Sequence, residues 1–122
     1  MAGFTQTFAQ TVLDTHFPIS GASEFVGYSA NGTTETGSMP RTAVGATGWA
    51  AATAAQPSVK ANDEALTTAA ATGAVTLTHF AVFTESAAGV QMTDWQALTT
   101  PKTFAIGETG TWPAGSLTIS LD

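Results

Sequence analysis

The sequence predicts an all-β protein: an antiparallel β-sandwich, Ig-like or jelly-roll-like, with a short N-terminal helix. Three observations lead there. Residues 78–122 read as strand-like pieces separated by Gly-, Pro- and Ser-bearing turns, at the roughly ten-residue spacing of a sandwich or barrel. The closing run Leu117-Thr118-Ile119-Ser120-Leu121 alternates strictly between apolar and polar, as a strand with one wet face does. Thr and Ala together exceed a third of the chain while charged residues are only 10%. Polarity therefore comes from side chains, Thr above all, that suit a pleated, half-exposed surface.

A length of 122 residues suggests one domain with a core of useful size. We divide it into a helix and arm at 1–20 and a sandwich at 22–122, with a loop or arm at about 30–60. In the first segment Phe4, Phe8, Val12, Leu13 and Phe17 recur at helical spacing, and Pro18 forces an exit. That stripe is expected to cover an edge of the sheet, the alternative being a partner-docking helix. Residues 24–29 (EFVGYS) form the first strand, Asn31-Gly32 marks a turn, and a Thr/Gly/Ser-rich loop runs to Pro40. Residues 41–61 are ambiguous, because Gly45 and Gly48 oppose a long helix and only Val44 and Trp49 suggest a strand.

Residues 74–83 (AVTLTHFAVF) give the clearest core strand. Val75, Leu77, His79, Ala81 and Phe83 are assigned to one face, Phe80 and Val82 to the other. Apolar residues on both faces predict cover on both sides toward the strand's end. Residues 90–98 are expected to pair with it as a hairpin through the turn at 86–89. Residues 103–106 and 116–121 are expected to form a second pair, with Leu117, Ile119 and Leu121 facing inward.

Charge excludes several classes of function. The net charge is −6 and the only cations are Arg41, Lys60 and Lys102. Three scattered cations cannot make the basic surface that nucleic acid requires, nor one suited to an anionic membrane. With no cysteine, disulfides and thiolate metal sites are ruled out. No segment reads as a signal peptide or membrane span, so a soluble, cytoplasmically made chain is expected.

Residues capable of chemistry are sparse. His16 is expected to cap the helix end, and His79 to be a satisfied strand histidine. The carboxylates show no metal-ligand spacing, and the serines lack a nucleophile elbow. No catalytic, cofactor-binding or metal-binding residue is assigned, and the chain is expected not to be an enzyme. Tyr28, Trp49 and Trp112 are candidates for a sugar-stacking platform, weighed against a core role for Trp95 and Trp112. Phe4, Phe8 and Val12 on the helix, Arg41 and Trp49 on the 41–60 arm, and Trp112 are candidates for a subunit interface.

The C-terminal half resembles a family of small bacteriophage virion proteins of the tail-fibre, minor tail or head accessory (decoration) type. The resemblance rests on Thr78-His79-Phe80-Ala81-Val82-Phe83 and on Trp95-Gln96-Ala97-Leu98-Thr99-Thr100-Pro101-Lys102. It continues through Gly107-Glu108 and Pro113-Ala114-Gly115-Ser116-Leu117-Thr118-Ile119-Ser120-Leu121. Leu13-Asp14, Val26-Gly27-Tyr28-Ser29, Trp49, Lys60 and Asn62 also match that layout, whereas Gly73-Ala74 stands where similar chains carry an aromatic.

The resemblance implies a non-enzymatic structural protein of the virion. Capsid decoration or a minor capsid role is expected first, since a fibre usually needs a longer chain; a tail-fibre or minor tail role, or a host-adhesion module that binds carbohydrate, is the alternative. Major capsid or tail proteins are the implied partners, with a host glycan for the adhesion reading. A symmetric homo-oligomer, such as a trimer, is implied as well.

Overall fold

The computed structural model describes residues 5–17, 23–45, 48–54 and 58–121. Eight strands follow one helix: α1 (Gln6–His16), β1 (Phe25–Ser29), β2 (Thr42–Ala43), β3 (Ser58–Ala61), β4 (Leu66–Thr67), β5 (Val75–Phe83), β6 (Gln96–Phe104), β7 (Thr111–Trp112) and β8 (Thr118–Leu121). All pairings are antiparallel. They form a four-stranded sheet in the order β2-β1-β5-β6 and two ribbons, β3-β8 and β4-β7. One apolar cluster draws residues from α1, the four-stranded sheet and both ribbons. The all-β class and the N-terminal helix are as expected, with the strands outside the main sheet arranged as two separate ribbons.

Helix α1 is capped by Thr5, whose hydroxyl accepts from Phe8 N–H. Its Thr- and Gln-rich sequence is a weak helix former, so packing has to hold it. The buried residues are Ala9, Leu13 and Phe17, so Leu13 and Phe17 of the expected stripe turn inward together with Ala9, which lay outside it. Phe8 is 53% exposed, Val12 is half-buried, and Phe4 and Pro18 lie outside the described residues. Two polar side chains set this rotation. Gln10 donates to Ala52 O at 3.1 Å, and Asp14 accepts from Ala52 N–H at 3.0 Å and from Lys60 Nζ at 2.6 Å. Residues 9, 10, 13, 14 and 17 therefore make the contact face.

Strand β5 departs from simple alternation. Leu77, Phe80 and Val82 all join the shared core, although Leu77 was assigned to the face of His79 and Ala81. The ladder with β6 is irregular at this point: Leu77 pairs with Lys102 and His79 with Ala97. Thr78 alone thus faces residues 98–101, an extended β-bulge that shifts the face of β5. Beyond it, Ala81 and Phe83 are buried on the opposite side, so the strand's end is covered on both faces, as expected. There Phe83 lies over Gly27, where an added Cβ would sit 2.5 Å from the ring. The absence of a side chain at Gly27 is what admits the ring.

The expected hairpin of residues 90–98 is only partly present. The chain reverses after Phe83, and Thr84 N–H and Met92 N–H reach Val90 O and Val82 O. The continuous partner of β5 is instead Gln96–Phe104, which takes in Thr103 and Phe104. Those two residues are consequently not partners of the last strand. Strand β8 pairs with β3, Ile119 opposite Lys60. Leu117 and Ile119 are buried and Thr118 and Ser120 exposed, as expected; the side chain of Leu121 lies outside the described set.

The inner face of β3 and the residue after it is polar: Ser58, Lys60 and Asn62 are 0%, 1% and 1% exposed. Ser58 donates to Thr53 O at 2.8 Å. Asn62 donates to Glu64 O and Pro113 O and accepts from Leu117 N–H. Among the described residues no buried side-chain nitrogen or oxygen lacks a partner. The hydrogen bond from Lys60 holds the Asp14 carboxyl below its ordinary value against the opposing effect of burial, with Ala52 N–H and the Lys60 charge assisting.

Removing Asp14 leaves a buried ammonium unpaired, which typically costs about 3 kcal/mol. Asp14→Ala is expected to destabilise by that order in chemical denaturation, and adding Lys60→Met to recover most of the loss. Because the Asp14 pKa is depressed, its contribution is present above the ordinary value of 3.8 and is lost as pH falls through the folded value. The Asp14→Ala chain should therefore show a flatter stability profile below pH 4. Equal profiles in the two proteins would refute this account.

Candidate functional site

The three aromatic residues considered for sugar stacking are core residues. Tyr28, Trp49 and Trp112 are 0%, 0% and 3% exposed. The Trp49 indole donates to Glu24 at 3.2 Å, and Phe17 meets its ring edge-on. Tyr28 and Trp112 stack at 5.8 Å between centroids, and the Trp112 indole donates to the Tyr28 hydroxyl at 2.9 Å. That hydroxyl also shares a 2.6 Å hydrogen bond with Thr42. Each polar tip thus finds a partner inside the fold, which is how Tyr and Trp can be buried without loss. The platform considered from the sequence as the alternative to a core role does not form, and Trp49 and Trp112 offer no exposed face for subunit contact.

The cations are committed internally as well. Arg41 forms a two-point ion pair with Glu35 at 2.7 and 2.8 Å and donates to Glu85 O and Ala88 O. Its guanidinium lies 3.8 Å from the Phe83 ring centroid. It thereby clasps loop 84–90 against loop 30–40, where Ala88 is held at φ 53°, a conformation an L-residue seldom adopts. Lys102 reaches Thr111 O and lies over the Trp112 ring. Lys60 is the buried partner of Asp14.

His79 lies beside the Asn31-Gly32 turn and shares a 2.8 Å hydrogen bond with Thr78. His16 is exposed in the last turn of α1. Among the described residues no three His, Asp or Glu side chains converge as metal ligands, and no helix is long and apolar enough to cross a membrane.

Two grooves lie near β6, one at its start and one at its bulge. The larger, about 420 Å³, lies between α1, residues 92–96 and β8, and includes Leu13, His16, Met92, Asp94, Gln96 and Ser120. The smaller, about 230 Å³, lies between the 98–101 bulge and residues 112–116. The sequence did not single out this edge, because its lining comes from three distant segments. The only local sign was the Leu98-Thr99-Thr100-Pro101 run.

A family model described as "Podophage GP4 fiber I protein gp80" matches residues 20–120. The chain belongs to this family. It is accordingly a phage virion protein of the tail-fibre type. The match takes in β1 to β7 and all but the last residue of β8, and leaves α1 outside. No match was found among curated proteins.

Two measurements probe the internal ties of this fibre-family chain. Burial pushes the Tyr28 phenol up to about 12, with its hydrogen bonds to Thr42 and Trp112 acting in the opposite direction. Between the ordinary 10 and that value only the unfolded chain gives up the proton. Tyr28 therefore contributes full stability below pH 10 and loses it as pH rises toward 12. With a single tyrosine, ultraviolet titration reads the group directly; ionisation near 10 in the folded protein would contradict this burial.

The second concerns Arg41→Lys, which removes the planar two-point contact. Amide exchange at Val90 is expected to rise about tenfold, equivalent to about 1.4 kcal/mol of local stability. An unchanged rate would mean that Arg41 does not hold the loop.

Proposed function

We propose that this chain is a non-enzymatic structural subunit of a podophage tail fibre, held in the virion by contacts with copies of itself and with neighbouring tail proteins. The match of residues 20–120 to a family of fibre proteins carries this reading. It favours the tail over capsid decoration, a preference that rested only on chain length. The internal economy of the molecule is consistent with a scaffold. Its three cations and its buried aromatic residues hold segments of the chain to one another.

What remains for assembly is a weakly charged exterior rich in Thr, including the Thr76–Thr103 and Thr67–Thr111 cross-strand pairs. Charged residues are depleted at interface cores, so such faces suit packing between subunits. Val90 and Ile106 are 64% and 72% exposed, at separate loop positions. With Phe8 and Val12 on the outer side of α1, they are the contacts we assign to assembly. A symmetric homo-oligomer, such as a trimer, is the arrangement we favour.

Gold-labelled antibody raised against the chain should decorate the tails of intact particles under the electron microscope. Label confined to the capsid, or a chain missing from purified particles, would overturn the proposal.

A further inference from the structure

We propose that Asn31-Gly32 is a latent deamidation site, kept shut in the folded chain by the hydroxyl of Ser29. The turn after β1 needs this pair for two reasons. Gly32 has φ 78°, in the left-handed region that side chains disfavour, and an added Cβ would sit 2.9 Å from His79 Cε1. Glycine is therefore the residue that fits between the turn and the imidazole. Asn31 supplies the side chain that organises the turn, its Oδ1 accepting from Thr33 N–H at 2.9 Å and Thr34 N–H at 3.0 Å.

The same pair is chemically vulnerable. Gly32 carries no side chain to hinder its nitrogen from closing on the Asn31 carboxamide. In that step the bond from Gly32 N to Asn31 Cγ forms and the bond from Cγ to Nδ2 breaks. The side-chain nitrogen leaves as ammonia, carrying off the proton that Gly32 N–H gives up. Water then opens the five-membered imide at either carbonyl, leaving an aspartyl or isoaspartyl unit at position 31. Asn31 is exposed, so water reaches it.

The hydrogen bonds decide which reactant is blocked. Gly32 N–H donates to Ser29 Oγ at 2.9 Å, so the electron pair left by its proton would point at Ser29 and not at Cγ. Attack requires the opposite alignment. The carboxamide itself is not shielded: the donors around Oδ1, Ser29 Oγ at 3.0 Å among them, would draw charge from the carbonyl and favour attack. The lock is thus the bond from Gly32 N–H. Ser29 is fully buried and paired with His79 in the sheet, which holds its hydroxyl in place. Reaction is left to moments when the turn opens, and its rate follows the open population. Conversion would add one negative charge to a chain of −6, in the loop that carries Glu35, the partner of Arg41.

The test is incubation of the full chain at mildly alkaline pH, with conversion at Asn31 read by peptide mass mapping as a gain of one dalton. The folded wild type should convert at least about tenfold more slowly than the same chain unfolded in guanidinium chloride. Removal of the hydroxyl frees the Gly32 amide, so Ser29→Ala should convert about tenfold faster than the wild type. Asp14→Ala, destabilised away from the turn, should keep the wild-type rate, and circular dichroism reports whether each variant is folded. Hydrogen exchange at the Gly32 amide of the wild type needs no variant and should be protected. Equal conversion in folded and unfolded wild type overturns the proposal, as does an unprotected Gly32 amide. A folded Ser29→Ala chain that converts no faster than Asp14→Ala equally overturns it.

Discussion

The arrangement of this molecule depends on burying polar side chains along β3. Ser58, Lys60 and Asn62 point inward at a period of two, the positions where a strand normally places Val or Ile. Each bonds a different segment: residue 53, helix α1, and the 113–117 turn that leads into β8. Apolar residues there would bury as much area without specifying which segments meet. A fully satisfied polar network does specify it, because a wrong arrangement leaves several buried groups unpaired at about 1–3 kcal/mol each. Helix α1 gains most from this. Its composition supports a helix poorly, it lies outside the family match, and Asp14 provides its charged anchor to the sheet.

The same economy governs the exterior. A chain with nine carboxylates and three cations could leave its cations free to recruit anionic partners. Here Lys60 is buried, Arg41 lies between Glu35 and the Phe83 ring, and Lys102 lies over Trp112. Among the described residues, Asp63, Glu64 and Asp94 remain on the surface and form no ion pair with a lysine or arginine. The outward field is thus more uniformly acidic than the composition alone suggests. Like-charged copies of such a surface repel one another at long range.

Legibility in the sequence followed this division between apolar and polar interiors. Strands β1, β5 and β8 were readable because they carry Val, Phe, Tyr, Leu and Ile in short β-branched and aromatic runs, alternating with polar residues in β8. Strand β3 was not, since Ser-Val-Lys-Ala places its only large apolar residue at a half-exposed position. Missing β3 also removed the true partner of β8, and residues 103–106 were assigned to it instead. The helix was found, and Leu13 and Phe17 of the stripe that apolar spacing selected do turn inward, but the bonds of Gln10 and Asp14 bring Ala9 in beside them and leave Phe8 and Val12 less covered. For the aromatic residues, composition could not distinguish a ring exposed for binding from one buried with its polar tip bonded. That depended on Glu24, Thr42 and the Tyr28 hydroxyl, which are distant in sequence. The groove beside β6 was hidden for the same reason.

The bulge in β6 connects the strand's local irregularity to the way this edge can be used. A nine-residue strand at the edge of a sheet is an open template for pairing with another chain. Residues 98–101 break its register with β5 and place Pro101, which has no N–H to offer, within it. Lys102 then draws the strand toward Thr111 and Trp112. Continuous pairing along this edge is consequently interrupted near its middle, where the smaller groove lies. An uninterrupted edge would accept another strand in several registers, and the break in this one removes that freedom. The Leu98-Thr99-Thr100-Pro101 run thus leaves an edge strand that offers no uninterrupted ladder to another chain.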